Sequence, residues 1–405
     1  MKRSFDMPFA KRMLFVLLVL GGLVWVVAYL LDTTGTQSLL FQHQITPWFG
    51  DFFLNRVVWN APCPYEGFGR TPAHEVIYPL FAHWVLTFFP ESFFGGALHS
   101  MAGCAFLLFS LSIFMKWRMH NLSFRFRLLA LLACFCSRQM FYVLERSNQV
   151  LFAAGMVVLF LSWYDSDQIR ERWIAAAALS VAVALKVTPA LFGLCYFIPM
   201  FEKDRHRIDW TSIVLCVGLA AVLTLGPLWW HGQGFVEFPR WYRNVVKNGY
   251  TSGSSWGPVA LWHELSFVGL SPRWYSFRVA RFANVALGLL GVATAFSPCL
   301  RRTQGGDRLL LLISAVMLLP TTSCAYMALY LFPAFLMTDS DDWKMCALWF
   351  CLFLPIQIPA FFISNSSGIP LNPSISNFAF LGLLALVYFR LVIRALCSED
   401  DGHDA

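Results

Sequence analysis

The sequence predicts an all-α polytopic membrane protein that crosses the bilayer about twelve times, and three observations predict it. Of the 405 residues, 58% are hydrophobic and only 13% charged, a balance that soluble domains do not need. Apolar runs of 15 to 22 residues recur along the chain, long enough to carry a helix through a hydrocarbon core of about 30 Å. The basic residues are scattered over short stretches between those runs, so the net charge of +7 reads as positive-inside topology and argues against a nucleic-acid partner. Membrane lipids are the expected surroundings.

Lys2, Arg3, Lys11 and Arg12 place residues 1–12 in the cytoplasm and make 13–31 the first span. Its apolar part is too long for a signal peptide and no cleavage pattern follows, so it is expected to stay in place. Residues 32–93 then form a first extracytoplasmic loop in which Asp51, Arg56, Glu66, Arg70, His74 and Glu75 interleave with Trp48, Phe52, Trp59, Tyr65 and Tyr78. Charges among aromatics predict interfacial helices, and the stretch 76–89, short and holding Pro79, belongs to that layer. Spans at 94–115 and 128–144 flank a basic cytoplasmic loop, and the second of them ends outside at Glu145.

An apolar run and the short charged turn DSDQIRER (165–172) follow. The run 173–201 is too long for one span and is broken by Thr188-Pro189, since proline disfavours helix at the residue before it and lacks an amide proton. A tight hairpin is expected there, with 202–207 cytoplasmic. A span at 211–230 leads to a second long outside loop, 231–277, and another span returns near 299. The run 308–337 repeats the broken pattern near Pro320. Spans at 344–363 and 376–396 leave a cytoplasmic tail, 397–405. The whole chain reads as one transmembrane domain. Its eleven cysteines, mostly inside apolar runs, have neither metal-ligand nor disulfide spacing and read as small buried hydrophobes.

Ionisable residues at the ends of apolar runs are costly, and usually face a cavity or a partner. In this topology Asp51, Glu145, Arg146, Ser147, Asn148, Lys186 and Tyr326 fall on one face, the outer one. Each also has a plainer reading. Lys186 can snorkel to the interface, Glu145-Arg146 can be a helix-end pair, and Asp51 alone can be a solvated loop carboxylate. Arg240, Arg243 and Lys247 recur at helical spacing and suit lipid phosphate as well as substrate phosphate. Asp165-Ser-Asp167 imitates a nucleotide-sugar metal motif, but no α/β domain accompanies it and loop capping accounts for it. The sequons at Asn121 and Asn365 are short enough to arise by chance.

The segment FYVLERSNQV (141–150), an apolar span, a charged turn and LKVTPALFGL (185–194) together resemble the core of glycosyltransferase family 87, integral-membrane mannosyltransferases of the GT-C superfamily. An Asp after the first span, Tyr65, Ile77-Tyr78-Pro79-Leu80 and the later LLPTTSCAYMALYLFPAFL (318–336) extend the likeness over most of the chain. The resemblance implies a GT-C-like bundle. It further implies inverting transfer of a hexose, typically mannose, from a polyprenyl-phosphate donor to a lipid or glycan acceptor outside the bacterial cytoplasmic membrane. Asp51 would be the general base. His74, Tyr78, Glu145, Arg146, Asn148, Lys186 and Tyr326 would bind donor or acceptor, with Arg146, Lys186 and His74 facing the lipid phosphate. No cofactor and no obligatory metal are expected. The sequence departs from the family at Ser147, where glycine is usual, in having one proline at Tyr78-Pro79-Leu80, and near Tyr326, where a histidine is common. A transporter or lipid flippase, expected to show two related halves, and a non-catalytic envelope-assembly protein are the alternatives.

Overall fold

The computed structural model describes residues 9–31, 49–60, 78–119, 122–197, 200–201, 208–230, 234–251, 256–267, 272, 274–296, 305–320, 325–338, 342–354 and 375–400. Every regular element among them is helical: α1 (Phe9–Leu31), α2 (Gly50–Arg56) with a 3-10 turn to Asn60, α3 (Leu80–Leu86), α4 (Phe93–Arg118), α5 (Phe124–Phe135), α6 (Arg138–Arg146), α7 (Val150–Trp163) and α8 (Ile169–Leu185). A 3-10 helix (Thr188–Tyr196) follows, then α9 (Trp210–Trp230), α10 (Gly234–Thr251), α11 (Gly257–Phe267), α12 (Phe277–Phe296) and α13 (Gly305–Leu318). A second 3-10 helix (Ala325–Leu331), α14 (Phe332–Met337), α15 (Trp343–Phe353) and α16 (Ile375–Asp400) complete the chain.

Four described helices are long and apolar enough to cross a membrane: α4, α9, α12 and α16. The pair α5–α6 makes a fifth if its 56° bend is taken as one broken span. Among the described residues the about twelve spans read from the sequence are thus matched only in part, and two of the apolar runs form short helices. α7 has 14 residues and α15 has 11, while the stretch 76–89, expected to be interfacial, holds the seven-residue α3.

α4 forms the straight edge of the core. Ser92 caps its start by accepting from the Gly95 amide, and Lys116 and Arg118 sit in its last turn, where cations favour the helix dipole. It runs against α7 through two close approaches: a Cβ at Gly103 would lie 2.8 Å from Leu151 Cβ, and one at Gly155 would lie 2.6 Å from the Phe106 ring. At the far end Arg118 grips both oxygens of Asp165 and the Leu161 carbonyl, joining the ends of α4 and α7.

The runs 173–201 and 308–337 both double back. After α8 the backbone at Lys186 is extended, Pro189 opens the 3-10 helix, and Tyr196 packs beside Phe160 and Tyr164, level with the start of α8. Likewise Arg390 reaches both Asp307, in the first turn of α13, and Asp342, just beyond α14. Lys11 donates to the Leu336 and Thr338 carbonyls at that same end, and Phe201, under the Arg118 guanidinium, lies against Gly305. Nine residues of 3-10 helix rise about 18 Å, short of the about 30 Å of a bilayer core, so the first returning arm is shallower than the span expected of it. The arms touch through Phe192 and Tyr330, and their breaks lie together at the opposite end of the bundle.

Because α4 and α7 meet through glycine, Gly155→Leu is expected to push them apart and lower stability by about 1–3 kcal/mol, read as a fall in the thermal unfolding midpoint in detergent or nanodiscs. An unchanged midpoint would mean that this contact does not hold the core.

Candidate active site

The end of the bundle where the two breaks meet collects six of the residues expected at the site. α6 stops at Arg146, and its C-cap, Ser147, is left-handed at φ 51°. Glycine takes that conformation without strain. Here a serine is held by two bonds: its hydroxyl donates to the Gly96 carbonyl at 2.9 Å, and His99 Nδ1 lies 2.9 Å from the same oxygen. The hydroxyl has a single proton, so His99 Nδ1–H is the donor. The resulting turn aims Arg146 and Asn148 at one target.

That target is Asp51. Its Oδ1 accepts from the Arg146 guanidinium and its Oδ2 from Asn148 Nδ2 at 2.7 Å. The two charged side chains are 13% and 14% exposed, which corrects the reading of Asp51 as a solvated loop acid. Phe49, also left-handed at φ 61°, donates its amide to the Glu145 carbonyl at 2.8 Å and so docks α2 on the end of α6. Glu145 thereby contributes a backbone contact to the site.

Asn148 Nδ2 also reaches Tyr78 Oη at 3.1 Å, and Tyr78 Oη lies 3.1 Å from Tyr326 Oη. Lys186 Nζ stands 4.5 Å from the Tyr326 ring centre and 5.6 Å from that of Tyr78, a cation–π arrangement. Tyr142 stacks on Tyr326 from the other side at 6.1 Å. Six of the eight residues expected at the site thus join through their side chains. Glu145 lies beside them, and His74 falls outside the described residues.

Other expectations land elsewhere. Arg240 and Arg243 lie on α10, where Arg240 pairs with the buried Glu237 at 2.6 Å; the Lys247 side chain is outside the described residues. A cavity of about 580 Å³ opens at the opposite end, beside Asp165 and Asp209. Of the acids that line it, Asp165 is engaged by Arg118 and Asp209 by Arg172 at 2.5 Å.

Sequence reasoning missed two histidines that hold this arrangement. His99 has no charge neighbour to mark it in the sequence and sits among Phe52, Phe89 and Phe152. His83, wholly buried in α3, lies with Nδ1 2.7 Å from the Asn55 carbonyl and so ties α3 to the helix of Asp51. Burial, outweighing the opposing carbonyls of Asn55 and Tyr78, lowers the His83 pKa from 6.5 to about 4.

An all-helical, membrane-crossing bundle fits a membrane glycosyltransferase. The profile of glycosyltransferase family 87 matches residues 77–354, well over half the chain, and the protein belongs to that family. The match covers Arg146, Asn148, Lys186 and Tyr326 and begins after Asp51, whose place in the site rests on geometry. No curated protein and no solved structure matches the chain.

The depressed pKa of His83 sets a pH dependence. The unfolded imidazole takes up a proton below about 6.5 and the folded one only near 4, so stability falls as pH drops through that window, by up to about 3 kcal/mol. Wild-type protein should lose thermal stability between pH 6.5 and 4 by more than His83→Gln does. Parallel curves for the two would remove His83 as the cause.

Proposed function

We propose that the protein transfers a hexose, mannose by family resemblance, from a polyprenyl-phosphate donor to a lipid or glycan acceptor, with inversion, on the extracytoplasmic face of a bacterial cytoplasmic membrane. The observation that carries this reading is the Asp51 carboxylate, fixed by Arg146 and Asn148 and set beside Lys186.

The acceptor hydroxyl oxygen attacks the anomeric carbon and gives its proton to Asp51 as the bond forms. The bond from that carbon to the phosphate oxygen breaks, and its electron pair leaves on the lipid phosphate. A phosphate leaves as an anion without a protonated acid, unlike the alkoxide leaving group of an inverting glycosidase. Arg146 and Lys186 stabilise the charge that develops on it. His74, in the same sequence segment as Tyr78, is a further candidate. Two cations on a monophosphate supply what a metal would supply to a diphosphate, so the reaction as proposed needs neither metal nor cofactor. The GT-C-like bundle supplies a membrane-embedded donor tail with apolar walls, and the aromatic segment around α2 and α3 forms the acceptor side.

The test uses sealed right-side-out vesicles with a short-chain polyprenyl-phosphate mannose added outside. Wild type should transfer, and Asp51→Asn should lose about 10² to 10⁴ in rate while still binding donor. Rates are normalised to folded protein, because Asp51→Asn leaves Arg146 partly unpaired. Lys186→Met should lose about tenfold to hundredfold, the worth of one charge-assisted bond of about 1.5–3 kcal/mol. Glu66 and Glu75, acids of the same sequence segment, serve as amide-variant controls. Normal transfer by Asp51→Asn with loss in a control variant would reassign the base; transfer only in inverted vesicles would reverse the side.

A further inference from the structure

Gln149 follows Asn148 directly and is 3% exposed. Neither its amide nitrogen nor its amide oxygen has a hydrogen-bond partner among the described residues. Leaving one buried amide unpaired costs about 1–3 kcal/mol on the scale of protein mutations, and buried polar side chains are otherwise almost always paired. Leucine or methionine would fill the same space without that penalty. An unmet amide at this place therefore calls for something that completes it.

Its position says what that is. Gln149 has helical backbone angles (φ −61°, ψ −12°) at the start of α7, and its carbonyl accepts from the Ala153 amide at 3.1 Å. It is thus one turn before Ala153, on the face of α7 where Ala153 packs with Tyr78 and Leu185. Helical side chains lean toward the helix N-terminus, which here is the Asp51 end. The residue before Gln149, Asn148, bonds both Asp51 and Tyr78, so Gln149 opens α7 directly next to the site.

An amide presents a donor and an acceptor side by side, and vicinal hydroxyls of a pyranose present the complementary pair. A phosphate offers acceptors alone and is matched by Lys186 and Arg146. We infer that Gln149 is the residue that reads the donor sugar, pairing its amide with ring hydroxyls of the hexose while the cations hold the phosphate. The inference rests on the transfer reaction proposed above and deepens it to a sugar subsite. A polar site of this kind discriminates more sharply than an apolar pocket, because the wrong sugar leaves its amide unpaired again.

Binding to nanodisc-embedded protein is measured with bare short-chain polyprenyl phosphate and with its mannosyl and glucosyl esters, alongside thermal unfolding, for wild type and Gln149→Met. In wild type, one sugar-bearing carrier should bind more tightly than the bare carrier. In Gln149→Met that advantage should shrink by about tenfold to hundredfold, the worth of two neutral hydrogen bonds, with bare-carrier affinity unchanged. Without ligand the variant should unfold at the same temperature as wild type or higher, since it relieves an unpaired amide. A lower unfolding temperature, or a sugar advantage equal to wild type, overturns the inference and marks Gln149 as structural. Wild type that binds bare carrier as tightly as both esters overturns it while leaving the phosphate assignment standing. Wild type that binds none of the three lipids overturns the donor proposed above and this inference together.

Discussion

The site depends on one buried ion pair. Asp51 and Arg146 are 95 residues apart in sequence and each is largely withdrawn from solvent. Removing two charges from water is expensive, and the attraction between them offsets this only when the geometry is good and other bonds satisfy the rest. Asn148 supplies one such bond on the carboxylate. Arg146 and Asn148 can reach the same carboxylate only if the chain between them turns sharply, and the left-handed Ser147 makes that turn. A positive φ also occurs at Phe49, on the other strand of the junction. Non-glycine residues persist there when the surroundings over-determine them, and here His99, the Gly96 carbonyl and the Glu145 carbonyl do so.

The broken helices follow from the same requirement. A continuous membrane helix bonds all of its own backbone and presents polar side chains only at its ends. Ending α8 at Leu185 puts Lys186 just beyond a helix C-terminus, where free carbonyls favour a cation. Breaking the later run near Pro320 brings Tyr326 to the start of its own returning arm. The two arms fold back against each other through Phe192 and Tyr330, so the cation of one break meets the ring of the other. Two hairpins thereby build a polar patch at one end of an otherwise apolar bundle.

The members of this site were legible in the sequence, and their contacts were not. Asp51, Arg146, Asn148 and Lys186 stand out because charged or amide groups beside apolar runs need a reason, and Tyr78 and Tyr326 through resemblance to the family. The direct pairing of Asp51 with Arg146 is a tertiary fact that no local pattern encodes. His83, His99 and Gln149 escaped for a different reason. Each is a lone polar residue in an apolar setting, indistinguishable by type from a core residue with satisfied bonds. The span count is open to another ambiguity: apolar composition marks where chain is buried in lipid or protein without marking where a helix ends, as the 14 residues of α7 and 11 of α15 illustrate.

Charge alone does not separate chemistry from architecture here. At the far end Asp165 is taken by Arg118 on both oxygens, and Asp209 by Arg172 together with the Ser212 amide and hydroxyl. Asp342 is shared between Arg390 and the first amides of α15. These carboxylates bind helix ends together. Asp51, like Asp165, accepts one bond on each oxygen, where an ionised carboxylate has room for about four in all. It is oriented by its partners and keeps acceptor capacity on both oxygens, as the general base proposed above requires. The same distinction applies to Gln149, whose amide is placed by the helix and claimed by nothing in it. Stability alone would favour closing both sets of bonds; in the reaction proposed above, the substrate closes them.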